Sequence, residues 1–150
     1  TLKYLKLKWQ KEFKFGKFAL DNSIIYQSVD QNQNVLNLPD FIIRNTFYYS
    51  NDVFNKAMYL QTGISFKYFS KYYANEYNPL ISSFHIQSTE KIGGFPLIDF
   101  FVNAKIKQTR LYLKAEHINS TATGNNFYSS PSYPYRDFLI RFGLVWNFFN

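Results

Sequence analysis

Phe138-Leu139-Ile140-Arg141-Phe142-Gly143-Leu144-Val145-Trp146-Asn147-Phe148-Phe149 has a strict two-residue period. Phe138, Ile140, Phe142, Leu144, Trp146 and Phe148 share one parity, and all are large and apolar. The other parity is mixed, with Leu139, Arg141, Gly143, Val145, Asn147 and Phe149. A β-strand sends alternate side chains to opposite faces, so this stretch makes one oily face and one mixed face. At a helical step of about 100° the same six residues would scatter around the axis.

Working outward, the period recurs along the chain. Leu5, Leu7, Trp9 and Phe13 alternate with Lys6, Lys8, Gln10 and Glu12, and Lys11 is the one break. Phe18, Leu20, Ile24 and Tyr26 alternate with Ala19, Asp21, Ser23 and Gln27. Phe41, Ile43, Phe47 and Tyr49 alternate with Arg44, Thr46 and Ser50. Met58, Leu60, Ile64, Phe66 and Tyr68 alternate with Tyr59, Gln61, Gly63, Ser65 and Lys67. Ile98, Phe100, Val102, Ala104 and Ile106 alternate with Asp99, Phe101, Asn103, Lys105 and Lys107. The weakest case is 110–117, with Leu111, Leu113 and Ala115 against Tyr112, Lys114 and Glu116. No segment has a helical stripe, so the chain reads as all β.

Composition excludes several classes. Phe (17), Tyr (13) and Trp (2) make the 150 residues 21% aromatic, far too aromatic for disorder. Hydrophobic residues are 46% of the chain, yet the mean hydropathy is −0.31, so apolar residues are diluted everywhere by polar ones. No apolar run approaches the length of a membrane-spanning helix. Cysteine is absent, which excludes disulfides, thiolate metal sites and a Cys nucleophile and suits a chain exported to an oxidising compartment. Thr1-Leu2-Lys3-Tyr4 does not read as a signal peptide, so the chain is expected to have lost one or to be a piece of a longer protein.

The expected strands run to ten residues or more, against about 5–6 in ordinary soluble sheets. About 9–11 residues is what a tilted strand needs to cross a bilayer. Short turns fall near Phe15-Gly16-Lys17, Asn51-Asp52 and Gln108-Thr109. Long polar loops fall near 28–40, 70–96 and 119–136. Alternation of short and long connections is the asymmetry of an outer-membrane barrel. The expected fold is therefore an antiparallel up-and-down transmembrane β-barrel, with 1–150 as one barrel segment. Leu80–Ser88 also alternates. Placed inside the long loop as a hairpin it leaves seven crossing strands, an odd number that points to missing N-terminal strands. Counted as crossing, it makes a complete barrel of eight.

Four stretches carry a family resemblance. They are Tyr133-Pro134-Tyr135-Arg136-Asp137 running into the closing strand, Ile92-Gly93-Gly94-Phe95-Pro96 running on to Lys107, Tyr73-Ala74-Asn75-Glu76-Tyr77-Asn78-Pro79, and Leu60-Gln61-Thr62-Gly63. Together they resemble the C-terminal end of the Bacteroidota "putative porin" family. Related phrases occur in TonB-dependent receptors of the same phylum. The resemblance spans nearly the whole chain and implies the last part of a much longer barrel in the bacterial outer membrane. It brings no catalytic or ligand-binding residues. Many outer-membrane barrels end on an aromatic residue, whereas here Phe148-Phe149 is followed by Asn150.

Lipid offers no hydrogen bonds, so the oily parity is expected to face acyl chains and the other an aqueous lumen. Trp9, Tyr26, Tyr49, Tyr68 and Trp146 lie near the ends of the oily parity, where aromatic rings favour the membrane interface. The plain alternative is that they reflect the strand propensity of aromatics. The lumen-facing residues are Lys6, Lys8, Arg44, Lys67, Lys105, Lys114 and Arg141 against Glu12, Asp21, Asp99 and Glu116. The cationic excess favours anions weakly. The alternative is that these charges pair across strands and hold the barrel in register.

Chemistry is scarce. His85 and His117 are the two histidines, without the Cys or carboxylate cluster that would make a metal site. Glu116 and His117 are adjacent on a strand and are expected to point to opposite faces. No phosphate-binding glycine loop, H-E-x-x-H or G-x-S-x-G occurs. No catalytic residue, cofactor or metal is expected. Asn119-Ser120-Thr121 matches a glycosylation sequon, which means little in a bacterial outer membrane. Gly63 and Gly143, on the lumen parity, are expected to relieve crowding or to allow curvature. The leading function is a porin-like barrel passing small solutes passively or with weak selectivity. The alternative is a structural barrel, plugged or part of a larger outer-membrane complex with other outer-membrane proteins or lipoproteins. A basic, aromatic-rich soluble nucleic-acid binder is the weakest reading, because the cations are spread over most of the strands rather than clustered.

Overall fold

The computed structural model describes residues 1–33, 35–122 and 127–148. Asn34, Phe149 and Asn150 of the sequence reading lie outside the described residues. Thirteen strands are present among the described residues: β1 (Leu2–Phe15), β2 (Phe18–Gln31), β3 (Phe41–Val53), β4 (Met58–Phe69), β5 (Tyr72–Tyr73), β6 (Glu76–Asn78), β7 (Ser83–His85), β8 (Lys91–Ile92), β9 (Pro96–Ile106), β10 (Thr109–Glu116), β11 (Tyr128–Ser130), β12 (Tyr133–Pro134) and β13 (Leu139–Trp146). No helix occurs among the described residues, as the absence of any 3.6-residue stripe requires.

The long strands form one seven-stranded sheet in the order β1-β2-β3-β4-β9-β10-β13. Every neighbouring pair is antiparallel. The sheet is an up-and-down meander, and within the described residues β1 and β13 have one neighbour each. Pro96 opens β9, where its missing N–H costs little.

Two boundaries differ from the sequence reading. The loop expected from residue 28 begins only after Gln31. Leu2, Lys3, Tyr4 and Leu5 reach back far enough to pair with Gln31, Asp30, Val29 and Ser28. The short turn expected at Asn51-Asp52 falls just beyond Val53, where Phe54, Asn55 and Lys56 take positive φ. The alternating segment Leu80–Ser88 stays out of the large sheet, in agreement with its placement as a hairpin inside the long loop, and that sheet has seven strands. Leu80 N–H donates to Asn78 Oδ1 at 3.0 Å and Ser82 takes φ 49°, so the chain doubles back and β7 pairs with β6.

The long connections gather at one end. Asn37 Nδ2 donates to Asn75 Oδ1 and to the Gln87 carbonyl, both at 3.1 Å, tying the loop after β2 to the loop after β4. Ser130 Oγ donates to the Asn75 carbonyl at 2.9 Å, tying the loop after β10 to the same segment. The compact apolar core of the molecule lies in this cap and not between layers of the sheet. It consists of Phe95, Leu97 and Phe127, packed against Phe69 and Tyr135.

Candidate functional site

The register places the oily parity of every long strand on one face. Phe13, Leu20, Phe47, Ile64, Phe100, Ala115 and Ile140 run across the sheet as a single row of paired residues. This face is open to its surroundings: Phe142 is 82% exposed, Leu144 61% and Ile140 55%. The opposite face is the more enclosed one, with Ala19, Ser65, Leu97 and Asp99 all buried. Burial is thus inverted relative to a water-soluble protein, which hides its apolar side chains.

Across the polar face, six strands line a hollow of about 470 Å³. Glu12 of β1, Asp21 of β2, Arg44 of β3, Lys67 of β4, Asp99 of β9 and Lys114 of β10 face it. Five of the eleven predicted lumen residues form one chain of ion pairs. Lys67 Nζ lies 2.6 Å from Asp99 Oδ2, and Lys114 Nζ lies 3.1 Å from the same oxygen. Lys114 Nζ also lies 2.8 Å from Glu116 Oε1, and Arg141 Nη2 lies 3.2 Å from Glu116 Oε2. The chain crosses β4, β9, β10 and β13, so it joins four strands at one level. Asp99 is its centre. Its second oxygen accepts the His117 backbone N–H at 3.0 Å, which leaves this buried carboxylate fully paired.

The other six predicted lumen residues are arranged differently. Glu12 and Asp21 face each other across β1 and β2, a like-charge pair. Glu12 is compensated by Lys14 at 3.0 Å and by the Tyr48 hydroxyl, which donates to it. Arg44 lies between Ser23 and Lys67 in the register, and Lys6, Lys8 and Lys105 are exposed. Among the described residues none of these four cations has an ion pair. The polar face therefore has a chain of ion pairs across β4, β9, β10 and β13, and unpaired cations on β1 (Lys6, Lys8), β3 (Arg44) and β9 (Lys105).

Tyr48 was not legible as a site residue, although it shares the parity of Thr46 and Ser50. It lies opposite Gly63, and Tyr112 lies opposite Gly143. A Cβ on Gly63 would come within 2.3 Å of the Phe47 carbonyl oxygen, and one on Gly143 within 2.3 Å of the Tyr112 ring. Each glycine thus makes room for a neighbouring tyrosine on the polar face, in line with the expected relief of crowding.

The predicted interface aromatics fall at two levels. Trp9 and Tyr68 share the row Trp9, Ile24, Ile43, Tyr68, with Tyr26 in the next row toward the loop cap, 5.0 Å from Phe41 between ring centroids. Tyr49, 5.2 Å from Phe18, and Trp146, stacked on Phe148 at 4.7 Å, lie toward the short turns. Trp9 is not near the end of its own strand, because β1 extends to Leu2; it is level with the end of β4.

His117 departs from expectation. β10 ends at Glu116, and His117 takes φ 53°, so the two do not continue the strand alternation. The imidazole is fully buried against Phe127 (4.5 Å) and Tyr135 (5.8 Å). Its Nδ1–H donates to the Arg136 carbonyl at 2.7 Å. Asn119 is similarly committed: its Nδ2 donates to the Pro96 carbonyl at 2.9 Å, and its Oδ1 accepts the Ile98 N–H at 3.0 Å. These contacts draw residues 134–137 across the polar face, leaving a hollow of about 410 Å³ above Lys67, Asp99 and Glu116. In the same cap, burial holds the Tyr72 phenol above its ordinary pKa. No metal-ligating cluster occurs among the described residues.

A meander of crossing-length strands with an exposed oily face and an ion-paired polar face is the pattern of a porin wall. A family model described as "Putative porin" matches residues 1–150. The chain belongs to that family. No curated protein and no solved structure matches the chain. Family membership suggests a porin-like, non-enzymatic role and an outer-membrane location.

Proposed function

We propose that this chain forms part of the wall of an outer-membrane β-barrel through which small solutes pass passively, with a weak preference for anions. The observation that carries the reading is the inverted burial of the seven-stranded sheet. Its apolar face is open, as contact with lipid requires, and its charged face is enclosed and ion-paired at its centre, around Asp99. Lipid cannot satisfy Lys or Arg side chains, and near the bilayer midplane each would cost about 2–4 kcal/mol. The polar parity therefore belongs to water. The free cations Lys6, Lys8 and Arg44 have no ion pair among the described residues, and they supply the bias toward anions.

The full-length protein, extracted in detergent and inserted in a planar bilayer, is the test. Discrete conductance steps are expected, with a reversal potential of anionic sign in a salt gradient. Absence of conductance from a correctly folded barrel overturns the reading.

One observation favours a second reading, a plugged or scaffolding barrel that works with other outer-membrane proteins or lipoproteins. The aromatic core of the cap, with His117 and Tyr135, lies over one end of the polar face. On that reading the folded barrel is silent in a bilayer and co-purifies with a partner in native detergent extracts. Neither reading involves nucleic acid or a cofactor.

A further inference from the structure

Residues 134–137 form a strap over the polar face, and the hollow of about 410 Å³ beneath it has the size of a small-molecule site. Two backbone anchors hold the strap. His117 Nδ1–H donates to the Arg136 carbonyl, and Tyr135 N–H donates to the Phe127 carbonyl, both at 2.7 Å. Lys67, Asp99, Glu116 and Arg141 make the floor, and Arg136 and Asp137 border the hollow from the strap. Three cations thus stand against three carboxylates, but hydrogen-bonding capacity is uneven. Asp99 has one oxygen on the His117 N–H and the other on Lys67 and Lys114. Each oxygen of Glu116 already meets a cation, Lys114 or Arg141. The cations have capacity left, since an ammonium has three donors and a guanidinium five. Lys67 contacts only Asp99, Arg141 contacts Glu116 through Nη2, and their side chains are 34% and 43% exposed. The Arg136 side chain has no partner among the described residues. The floor therefore has saturated acceptors, while β4, β13 and the strap each offer spare donors.

We propose that this hollow is a binding site for a small multivalent oxyanion such as phosphate, with Lys67, Arg136 and Arg141 as its donors. Such a ligand is rich in the acceptors that the three cations lack. A guanidinium fork meets two of its oxygens at once, and an ammonium adds a point charge. The ion pairs to Asp99 and Glu116 hold Lys67 and Arg141 in place before the ligand arrives, so less side-chain freedom is lost on binding. Asp137, a carboxylate without a partner among the described residues, opposes the ligand and keeps the site weak, as release of a passing solute requires. The inference rests on the reading of the polar face as an aqueous lumen. It differs from the diffuse bias of Lys6, Lys8 and Arg44 in assigning a discrete site.

The test titrates inorganic phosphate into the full-length protein in detergent, shown to be folded by heat-modifiable migration, with calorimetry at low ionic strength. Saturable binding is expected, with sulfate competing and chloride not. Arg136→Gln should weaken it about tenfold, the worth of one charge-assisted hydrogen bond, and Arg136→Lys should weaken it less. Asp137→Asn should tighten it roughly threefold, the scale of an exposed charge interaction. Joint replacement of Lys6 and Lys8 by Gln should leave it unchanged. In a planar bilayer, phosphate added at constant chloride should reduce the current of the wild type and spare that of Arg136→Gln. Absence of saturable binding to the folded protein, or binding that Arg136→Gln leaves intact, overturns the site. Glycine that binds more tightly than phosphate and is lost with Asp137→Asn would make the ligand a zwitterion and also overturns it. Phosphate binding with the expected variant pattern in a barrel that passes no current upholds the site and overturns passage alone. A conducting barrel that binds no phosphate overturns the site alone.

Discussion

Gly63 has no space for a methyl group, because the atoms a Cβ would meet are the backbone of β3, which cannot swing aside. Gly143 is equally close to its neighbour, but that neighbour is the end of the Tyr112 side chain, which can. Gly63→Ala is therefore expected to destabilise the sheet by about 1–3 kcal/mol, the usual cost of overpacking, and Gly143→Ala by less than about 1 kcal/mol. Urea titration of the heat-modifiable band separates the two; equal midpoints would contradict the geometry. At Asp99 the argument is electrostatic. Asp99→Asn removes the carboxylate that Lys67 and Lys114 share and weakens the hold on the His117 N–H. A loss of about 1.5–3 kcal/mol is expected for charge-assisted bonds, at the low end because both lysines are one-third exposed. The same titration measures it.

At the scale of elements, the ion-pair chain and the loop cap share a hinge. β10 ends in Glu116, which belongs to the chain, and the next residue, His117, belongs to the cap. The loop after β10 is held by the ring contacts of His117 with Phe127 and Tyr135, and by Asn119 on the backbone of β9. Phe127→Ala removes a buried ring that touches both Phe95 and His117. Core Phe→Ala changes cost about 3–5 kcal/mol, and here the loss falls on the loop and not on the hydrogen-bonded sheet. The expected outcome is cleavage of residues 119–136 by protease added to intact cells, with the heat-modifiable barrel unchanged. Protection equal to wild type would place the loop's stability elsewhere.

For the whole molecule, the decisive feature is uneven neutralisation of the polar face. The half near β13 is cross-linked by ion pairs and serves to hold strands in register, as cross-strand pairing can. The half near β1 retains Lys6, Lys8 and Arg44 without ion pairs among the described residues, beside the carboxylates of Glu12 and Asp21. Replacing those three together by Gln is expected to move the reversal potential of the reconstituted pore toward zero while leaving conductance steps in place. Replacing Lys105 alone, at the short-turn end, should change it little. A reversal potential unmoved by the triple change would mean the selective charge lies in strands beyond these seven.

Strand identity and facing were legible in the residues themselves, because a period of two needs no tertiary information: each strand's own covalent geometry sends alternate side chains to opposite sides. The six even positions from Phe138 to Phe148 therefore named the oily face, and the charged list named the polar one. The pairing of charges was not legible, because it depends on register between strands. Lys67, Asp99, Lys114, Glu116 and Arg141 meet through alignment of four strands far apart in sequence. The burial of His117 depended on loops folding back over the sheet, a matter of long-range packing that no local pattern records. Local stereochemistry was written in the chain, whereas every contact between strands and loops waited on the free energy of the assembled sheet.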